Sequence, residues 1–275
     1  MKISVILTSY NYQDYIADSI KSVLSQTYND YEFIIIDDCS NDDSVNIIKQ
    51  FDDKRIKFII NEKNLGLSKT LQKGIDVAKG DWIAFLESDD IWDKNYLEEK
   101  IKIAELYPDI GMIFNDVDMF GDEKQIKFLN SAFKYNLNKI KNYNYPKNLF
   151  FDICKFNSIL TFSSAFVKKE NLVNYDLNPP VDKVVDWWLF IHLSRNCKFY
   201  YIPEKLTKWR IHKNSYIYKK NKFTTIPVNI YALFDIFKKE KDLRLIFFII
   251  YIIFFTILRK LKTKFSRLFF SGANY

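Results

Sequence analysis

Four short apolar runs punctuate the first third of the chain: Ile3-Ser-Val-Ile-Leu-Thr8, Tyr31-Glu-Phe-Ile-Ile-Ile36, Ile56-Lys-Phe-Ile-Ile60 and Trp82-Ile-Ala-Phe-Leu86. Near-continuous apolar runs of this length suit strands covered on both faces, as in a parallel sheet. Between them the apolar positions follow a helical period. The segments from about Tyr15 to Ser25, from the Ser40–Asp43 opening onward, and from Leu67 to Ala78 are predicted helices, with Asp14 as N-cap of the first. Strands alternating with helices of about a dozen residues predict βαβ units, hence an α/β fold with a Rossmann-like, mostly parallel sheet flanked by helices.

Beyond Tyr107 the pattern weakens. Gly111–Phe114 reads as a short strand, 121–157 shows no clear period, and Ile159–Val167 is a further strand candidate. Asp186–Leu193 reads as a helix opened by an acid, and Tyr200–Ile202 as a last strand, closely followed by Trp209-Arg-Ile-His212. Near the C-terminus, Leu245–Leu258 is a run of 14 uncharged residues. As a helix it would span about 21 Å, short of the roughly 30 Å hydrocarbon core of a bilayer.

Composition excludes several classes. With 275 residues, 48% hydrophobic and 17% aromatic, and only 6 Gly and 6 Pro, the chain is neither disordered nor low in complexity. Cys39, Cys154 and Cys197 are odd in number and lack metal-ligand spacing, which fits free thiols in a reducing compartment. The apolar stretch after Met1-Lys2 is too brief for a signal peptide, so a cytoplasmic catalytic part is expected. The net charge of +7 hides an asymmetry. From Tyr200 onward 16 Lys/Arg face 4 Asp/Glu, a net of +12, whereas the first 199 residues hold 25 against 30, a net of −5. A basic tail on an acidic body points to an anionic partner for the tail.

The chemistry concentrates where apolar runs end in acid. Trp82–Leu86 runs into Glu87-Ser-Asp-Asp90, and Tyr31–Ile36 into Asp37-Asp38. In a parallel sheet both ends lie on the carboxyl edge, where open α/β folds bind ligands. Clustered carboxylates there suit a hard divalent cation beside a substrate's phosphates. No Gly-x-Gly-x-x-Gly or Walker-type motif is present, so the common dinucleotide and P-loop cradles are excluded.

Ile3–Asn11, Ile35–Ser40, Asn64-Leu-Gly66, Gly80–Asp90 and Trp209–His212 stand in the order and spacing of glycosyltransferase family 2, which the chain resembles over about residues 1–215. The resemblance implies a GT-A fold over 1–220, with a nucleotide-sugar half (about 1–110) and an acceptor half (about 111–220); the residues beyond it, 221–275, read as a basic, apolar helical tail. It implies inverting transfer of a hexose-type sugar from a nucleotide-sugar, commonly a UDP-sugar, with Mn²⁺ or Mg²⁺. Carried over residue by residue, Thr8 and Tyr10 line the nucleotide, with the tyrosine packing on the base. Asp38 accepts a hydrogen bond from the base and Asp89 holds the ribose hydroxyls. Asp90 and His212 bind the metal, and Arg210 meets the diphosphate. Asp186 matches the general base, with Asp182 as the competing acid.

The chain departs from the family pattern at Cys39, where glycine is usual; at Leu71-Gln72, where Arg-Asn is common; at Val185, where Glu usually precedes the base; and at Glu87, which stands for Asp. The tail's apolar run, with Lys and Arg on both flanks, suits an anionic membrane surface through 243–270; helices packed on the protein, or a homodimer, are the alternatives. The acceptor expected from this placement is a saccharide or lipid-linked saccharide, with the enzyme peripheral on the inner face of the cell membrane. Nucleic acid is not an expected partner. Two other readings compete: a catalytically inactive nucleotide-sugar-binding or scaffold protein, and a metal-dependent nucleotidyltransferase.

Overall fold

The computed structural model describes the chain except residues 173–176, 178, 180–183, 214, 216–227 and 271–275; for 135, 257 and 259–270 it describes the backbone alone. The strands are β1 (Ile3–Ser9), β2 (Tyr31–Asp37), β3 (Ile56–Ile60), β4 (Trp82–Glu87), β5 (Ile91–Trp92), β6 (Ile110–Gly121), β7 (Phe166–Lys168) and β8 (Lys198–Ile211). The helices are α1 (Ile16–Leu24), α2 (Ser44–Lys49), α3 (Leu67–Val77), α4 (Tyr96–Leu106), α5 (Glu123–Lys141), α6 (Phe150–Lys155), α7 (Val185–Asn196), α8 (Val228–Glu240) and α9 (Arg244–Phe270).

The sheet order is β3-β2-β1-β4-β7-β6-β8-β5. Its first four strands are parallel, as their unbroken apolar runs predict. β7 runs antiparallel to both β4 and β6, and β5 antiparallel to β8, so the whole sheet is mixed rather than mostly parallel. Each face carries its own core. Ile6, Ile34, Ile36 and Phe85 pack with residues of α3, α6, α7 and α8. Val5, Leu7, Phe33 and Leu86 pack with residues of α1 and α4.

Several expected elements differ in extent. Asp14 does not cap α1; Tyr15 holds the N-cap position, and the backbone turn from Tyr12 leads into the helix without a side-chain bond. The expected short strand 111–114 is the inner third of β6, whose outer part pairs with β8 alone. The strand expected at 200–202 extends to Ile211 and takes in Trp209 and Arg210. Residues 121–157, read as aperiodic, form α5 and α6. Of Ile159–Val167 only the end is strand, and Phe162–Ser164 is a single 3-10 turn.

The C-terminal segment is not a detached tail. Val228, Ile230, Leu233 and Ile236 of α8, and Leu245, Ile249 and Ile252 of α9, are buried in the same core as α6 and α7. The opposite side of α9 carries exposed Phe247, Ile250, Tyr251, Phe254 and Leu258. Among the described residues, no helix is long and apolar enough to cross a membrane. The basic flank that follows the apolar run, beyond Leu258, falls on side chains outside the described residues.

Candidate functional site

Strand register assembles the site. Thr8 lies beside Ile36 of β2 and Glu87 of β4, so the loops after β1, β2 and β4 leave the sheet side by side. The first two loops are bound to each other. Asn11 N–H donates to Ser40 Oγ, Asn41 N–H to Asn11 Oδ1, and Tyr12 N–H to Ser44 Oγ. Asp37 closes its own turn by accepting from Ser40 N–H and Oγ–H.

Cys39 takes φ +64° in this turn. That left-handed conformation costs a residue with a Cβ roughly 1–2 kcal/mol, which explains why glycine suits the position. Cys39→Gly is expected to raise the unfolding free energy by about 0.5–1 kcal/mol, part of the relief being offset by glycine's greater unfolded-state freedom. Urea unfolding checks this through the midpoint, which should rise at constant m-value.

Asp38 is buried and holds the loop after β3. Its Oδ1 accepts from Asn61 Nδ2 and Leu65 N–H (both 2.8 Å), and its Oδ2 from Gly66 N–H (2.9 Å). Gly66 has φ +82°, so Asn64-Leu-Gly66 turns its amides onto Asp38 where a residue with a Cβ would be strained. Lys73 of α3 donates to Asn61 Oδ1 at 2.7 Å. Leu71, where the family commonly has arginine, is buried in the core.

At the end of β4 the three acids take different positions. Asp90 is fully buried, with Oδ1 accepting from Arg210 N–H (3.0 Å) and Oδ2 from Thr161 Oγ–H (2.9 Å). Burial and the neighbouring Asp89 push its carboxyl up to about 8. Glu87 is shifted upward as well, by burial first and then by Asp90 and Asp89. Thr161 Oγ lies 2.8 Å from Glu87 Oε2 too. One hydroxyl has one hydrogen, so bridging two carboxyls suits a state in which one of them is protonated. The 3-10 turn adds Ser163 Oγ, which accepts from Glu87 N–H.

Asp89 is partly buried, its side chain 13% exposed. Its Oδ2 is 2.9 Å from His212 Nε2, so His212 meets Asp89 and not Asp90. His212 Nδ1 is buried and, among the described residues, has no hydrogen-bond partner. Tyr12 and Tyr15 pack on the imidazole at 6.1 and 4.6 Å. Burial and then Asp89, Glu87 and Asp90 all raise the Tyr12 phenol, which places its ring among the acids. Tyr10, the expected base-stacking residue, is 40% exposed at the end of the same loop.

Arg210 is bound within the protein. Nε donates to the Asp89 carbonyl oxygen at 2.9 Å and Nη2 to Asp18 Oδ2 at 3.1 Å, and the guanidinium lies between the rings of Tyr15 and Phe120. Its side chain and backbone together fix the Asp89-Asp90 turn.

Asp186 sits in the first turn of α7, whose Trp187 indole donates to the Ile153 carbonyl oxygen of α6. The Asp186 carboxyl, half-buried, is raised to about 6 by burial, against bonds from Trp187 N–H, Asn157 and its own N–H. Its charge is felt at Glu87, so α7 brings it to the acidic cluster. The competing Asp182 lies outside the described residues. Sequence reasoning missed Tyr12, Asn61, Asn157, Thr161 and Ser163. Tyr12 was detectable beside Tyr10 in the first loop; the others are neutral side chains, and neither Asn61 after the third apolar run nor Thr161 and Ser163 within the Ile159–Val167 strand candidate carries a charge that would mark it.

Asp89 and His212 together offer a carboxylate oxygen and an imidazole nitrogen, a donor set suited to Mn²⁺ or Mg²⁺ when substrate phosphates and water complete the shell. Among the described residues, no group of three His, Cys, Asp or Glu side chains could hold a metal unaided.

The chain is 32% identical over 220 residues to an uncharacterized glycosyltransferase of Methanocaldococcus jannaschii, a match covering 78% of this chain and 73% of that one. It is 34% identical over 138 residues to the Escherichia coli UDP-Glc:alpha-D-GlcNAc-diphosphoundecaprenol beta-1,3-glucosyltransferase WfgD, covering 50% of this chain and 54% of the relative. The match thus spans about half the length of the E. coli relative. The fold is shared with S. aureus TarS 1-349, crystallised with UDP-GlcNAc (TM-score 0.64, 17% identity, 85% of this chain and 64% of that one). It is also shared with the Pyrobaculum calidifontis mannosyltransferase PcManGT, solved with GDP-Man and Mn²⁺ (TM-score 0.59, 13% identity, 96% and 83%). Residues 4–166 match the model of glycosyl transferase family 2, more than half of the chain, and the protein belongs to that family.

Proposed function

We propose that the protein transfers a hexose-type sugar, with inversion, from a UDP-sugar to a lipid-linked saccharide in cell-surface polysaccharide or glycolipid synthesis. The observation that carries this reading is the meeting of Asp38, Asp89, His212 and Asp186 at one edge of the sheet, from four segments far apart in sequence. In this reading the base of the nucleotide lies between Tyr10 and Asp38. Asp89 and His212 hold a divalent cation, and Asp90 lies beneath them as part of the turn. The cation, when bound, would offset the charge on the departing diphosphate. Asp186 takes the proton from the acceptor hydroxyl, on the side opposite the leaving group that an in-line displacement requires. The acceptor class is suggested by WfgD, whose substrate is a sugar-diphosphoundecaprenol, and by α9.

Exposed Phe247, Ile250, Tyr251, Phe254 and Leu258 follow one another along α9, Phe151 of α6 is exposed as well, and Lys155 reaches over the Tyr251 ring at 4.9 Å. Residues 259–270 add five Lys/Arg and no acid. An apolar helix face with basic neighbours suits the headgroup layer of an anionic membrane, where each Lys or Arg adds about 1 kcal/mol.

Removing α9 would uncover Leu245, Ile249 and Ile252, so point substitutions test this better than truncation. The intact chain should transfer sugar from one UDP-sugar of a panel, with Mn²⁺, to a polyprenyl-diphosphate saccharide in anionic vesicles. Phe247→Glu/Ile250→Glu/Phe254→Glu should leave the vesicle pellet and lose this transfer, yet still hydrolyse the donor slowly at the wild-type rate. Donor hydrolysis absent from both proteins, across the panel, would favour an inactive scaffold.

A further inference from the structure

We propose that Trp92, Tyr96 and Lys100 are positioning residues for the metal edge of the site, acting through the 3-10 turn that carries Thr161 and Ser163; this rests on the reading of Asp89 and His212 as protein ligands of the cation. Each of the three sends one buried donor to one of three successive carbonyl oxygens. Trp92 Nε1 donates to Ser163 O at 2.7 Å, Lys100 Nζ to Ser164 O at 2.9 Å and Tyr96 Oη to Ala165 O at 3.2 Å. The donors also brace one another. The Trp92 and Tyr96 rings stack with centroids 3.9 Å apart and planes 6° apart, and Lys100 Nζ lies 5.0 Å from the centre of the Tyr96 ring. Tyr96 and Lys100 share a face of α4, one turn apart.

Packing alone does not ask for this arrangement. Aromatic rings and an aliphatic chain would fill the same space, and lysine is almost never fully buried unless paired. Lys100 is fully buried; burial pushes its ammonium well below the ordinary range, and among the described residues it has no ion pair. Its hydrogens go to the carbonyl oxygens of Ser164 and Ile113. Even a neutral amine has the two hydrogens that these need, so Lys100 serves as a donor whatever its charge. What the three donors fix is the turn. The Thr161 hydroxyl bridges Asp90 Oδ2 and Glu87 Oε2. Ser163 Oγ accepts from Glu87 N–H, and its own hydrogen goes to Asp90. Asp90 lies next to Asp89, whose Oδ2 meets His212. A loosened turn frees Asp90, and the neighbouring Asp89 then loses its fixed direction. Partners that orient metal ligands in this way tune metal affinity without touching the metal.

Calorimetry of UDP on the full chain, with and without Mn²⁺, tests the three donors. Lys100→Met keeps most of the side chain and removes its donor. It should reduce the enhancement of UDP binding by Mn²⁺ on the order of 10-fold, the lower end for outer-shell partners of a metal ligand, and leave affinity without Mn²⁺ unchanged. Tyr96→Phe and Trp92→Phe each keep a ring and remove one donor, and should show the same split more weakly. Thr161→Val removes the hydroxyl that the turn presents and should lose the enhancement likewise. Lys100→Met/Thr161→Val should then lose no more than Thr161→Val alone, because groups acting in series are not additive. In metal-free protein, hydrogen exchange should quicken in each donor variant at the Ser164 and Ala165 amides, which close the turn on the Thr161 and Phe162 carbonyl oxygens. Equal losses with and without Mn²⁺, additive losses in the double variant, or unchanged exchange would overturn the proposal. If Lys100→Met does not fold, Tyr96→Phe, smaller by one oxygen, takes its place in the cycle. A wild-type enhancement that every donor variant retains overturns the proposal alone. Wild type that gains nothing from Mn²⁺ overturns the metal reading, and the proposal with it.

Discussion

Asp186→Asn is expected to lower turnover by about 10²–10⁴-fold, the usual worth of a general base, while leaving UDP affinity within a few-fold of wild type. The wild-type pH profile should carry the same signature. A base must be deprotonated to act, so with the carboxyl raised to about 6, kcat/KM should rise with pH and level off above that value. The substitution should also stabilise the fold, because the site holds a charge that burial disfavours. The folded-state value lies above the ordinary 3.8, so the folded protein binds the extra proton more tightly than the unfolded chain. The destabilisation is absent below about pH 4, grows as pH rises, and is complete above about pH 6. Asp186→Asn removes it, so the gain should be about 1–3 kcal/mol at pH 7.5 and near zero at pH 4. Denaturant unfolding at the two pH values, run beside single-turnover assays, checks both halves. A variant with near wild-type turnover would return the role to Asp182.

The parts of this protein legible from sequence are those with both sheet faces covered. β1, β2 and β4 read cleanly because burial on both sides makes their residues almost uniformly apolar; the edge strand β3 is the exception, only partly buried yet apolar at all positions but Lys57. β6 did not, because its outer half has one neighbour, β8, and lies beyond the doubly covered sheet. There Asp116 and Asp118 turn outward to Lys141 and Lys205 while Val117 stays buried, and an alternation so short is lost among polar residues. α5 escaped for a related reason: its long amphipathic run buries Leu129 and Ile140 but little else, so its period is weak. At the site, charge was legible and its division was not. Asp37, Asp38, Glu87, Asp89 and Asp90 stand out in the sequence as two acidic clusters. Which of the last cluster lies buried and which meets His212 depends on Thr161 and Arg210, which come from 71 and 120 residues further along the chain than Asp90.

That division makes Asp89 and Asp90 separable by experiment. Asp89→Asn should abolish the enhancement of UDP binding by Mn²⁺, a loss on the order of 10–100-fold or more, since removing even an outer-shell partner of a metal ligand costs that much. His212→Ala should lose a comparable part of the enhancement, because its Nε2 shares the same space with Asp89 Oδ2. Asp90→Asn should behave differently. Its carboxyl, raised to about 8, carries a proton at neutral pH. An amide of the same shape can still accept from Arg210 N–H, although Thr161 would have to turn its hydroxyl to meet the new N–H₂. The Mn²⁺ enhancement should therefore survive in Asp90→Asn to within a few-fold, with a modest fall in stability from the altered Thr161 contact. Arg210→Lys separates the turn from the metal. It keeps the charge near Asp18 but loses the planar, two-directional hold on the Asp89 carbonyl and Asp18. UDP affinity with Mn²⁺ should drop there while affinity without Mn²⁺ stays unchanged. Titrating each variant with UDP, with and without Mn²⁺, decides the assignment. Loss of the enhancement in Asp90→Asn, with retention in Asp89→Asn, would exchange the roles of the two acids.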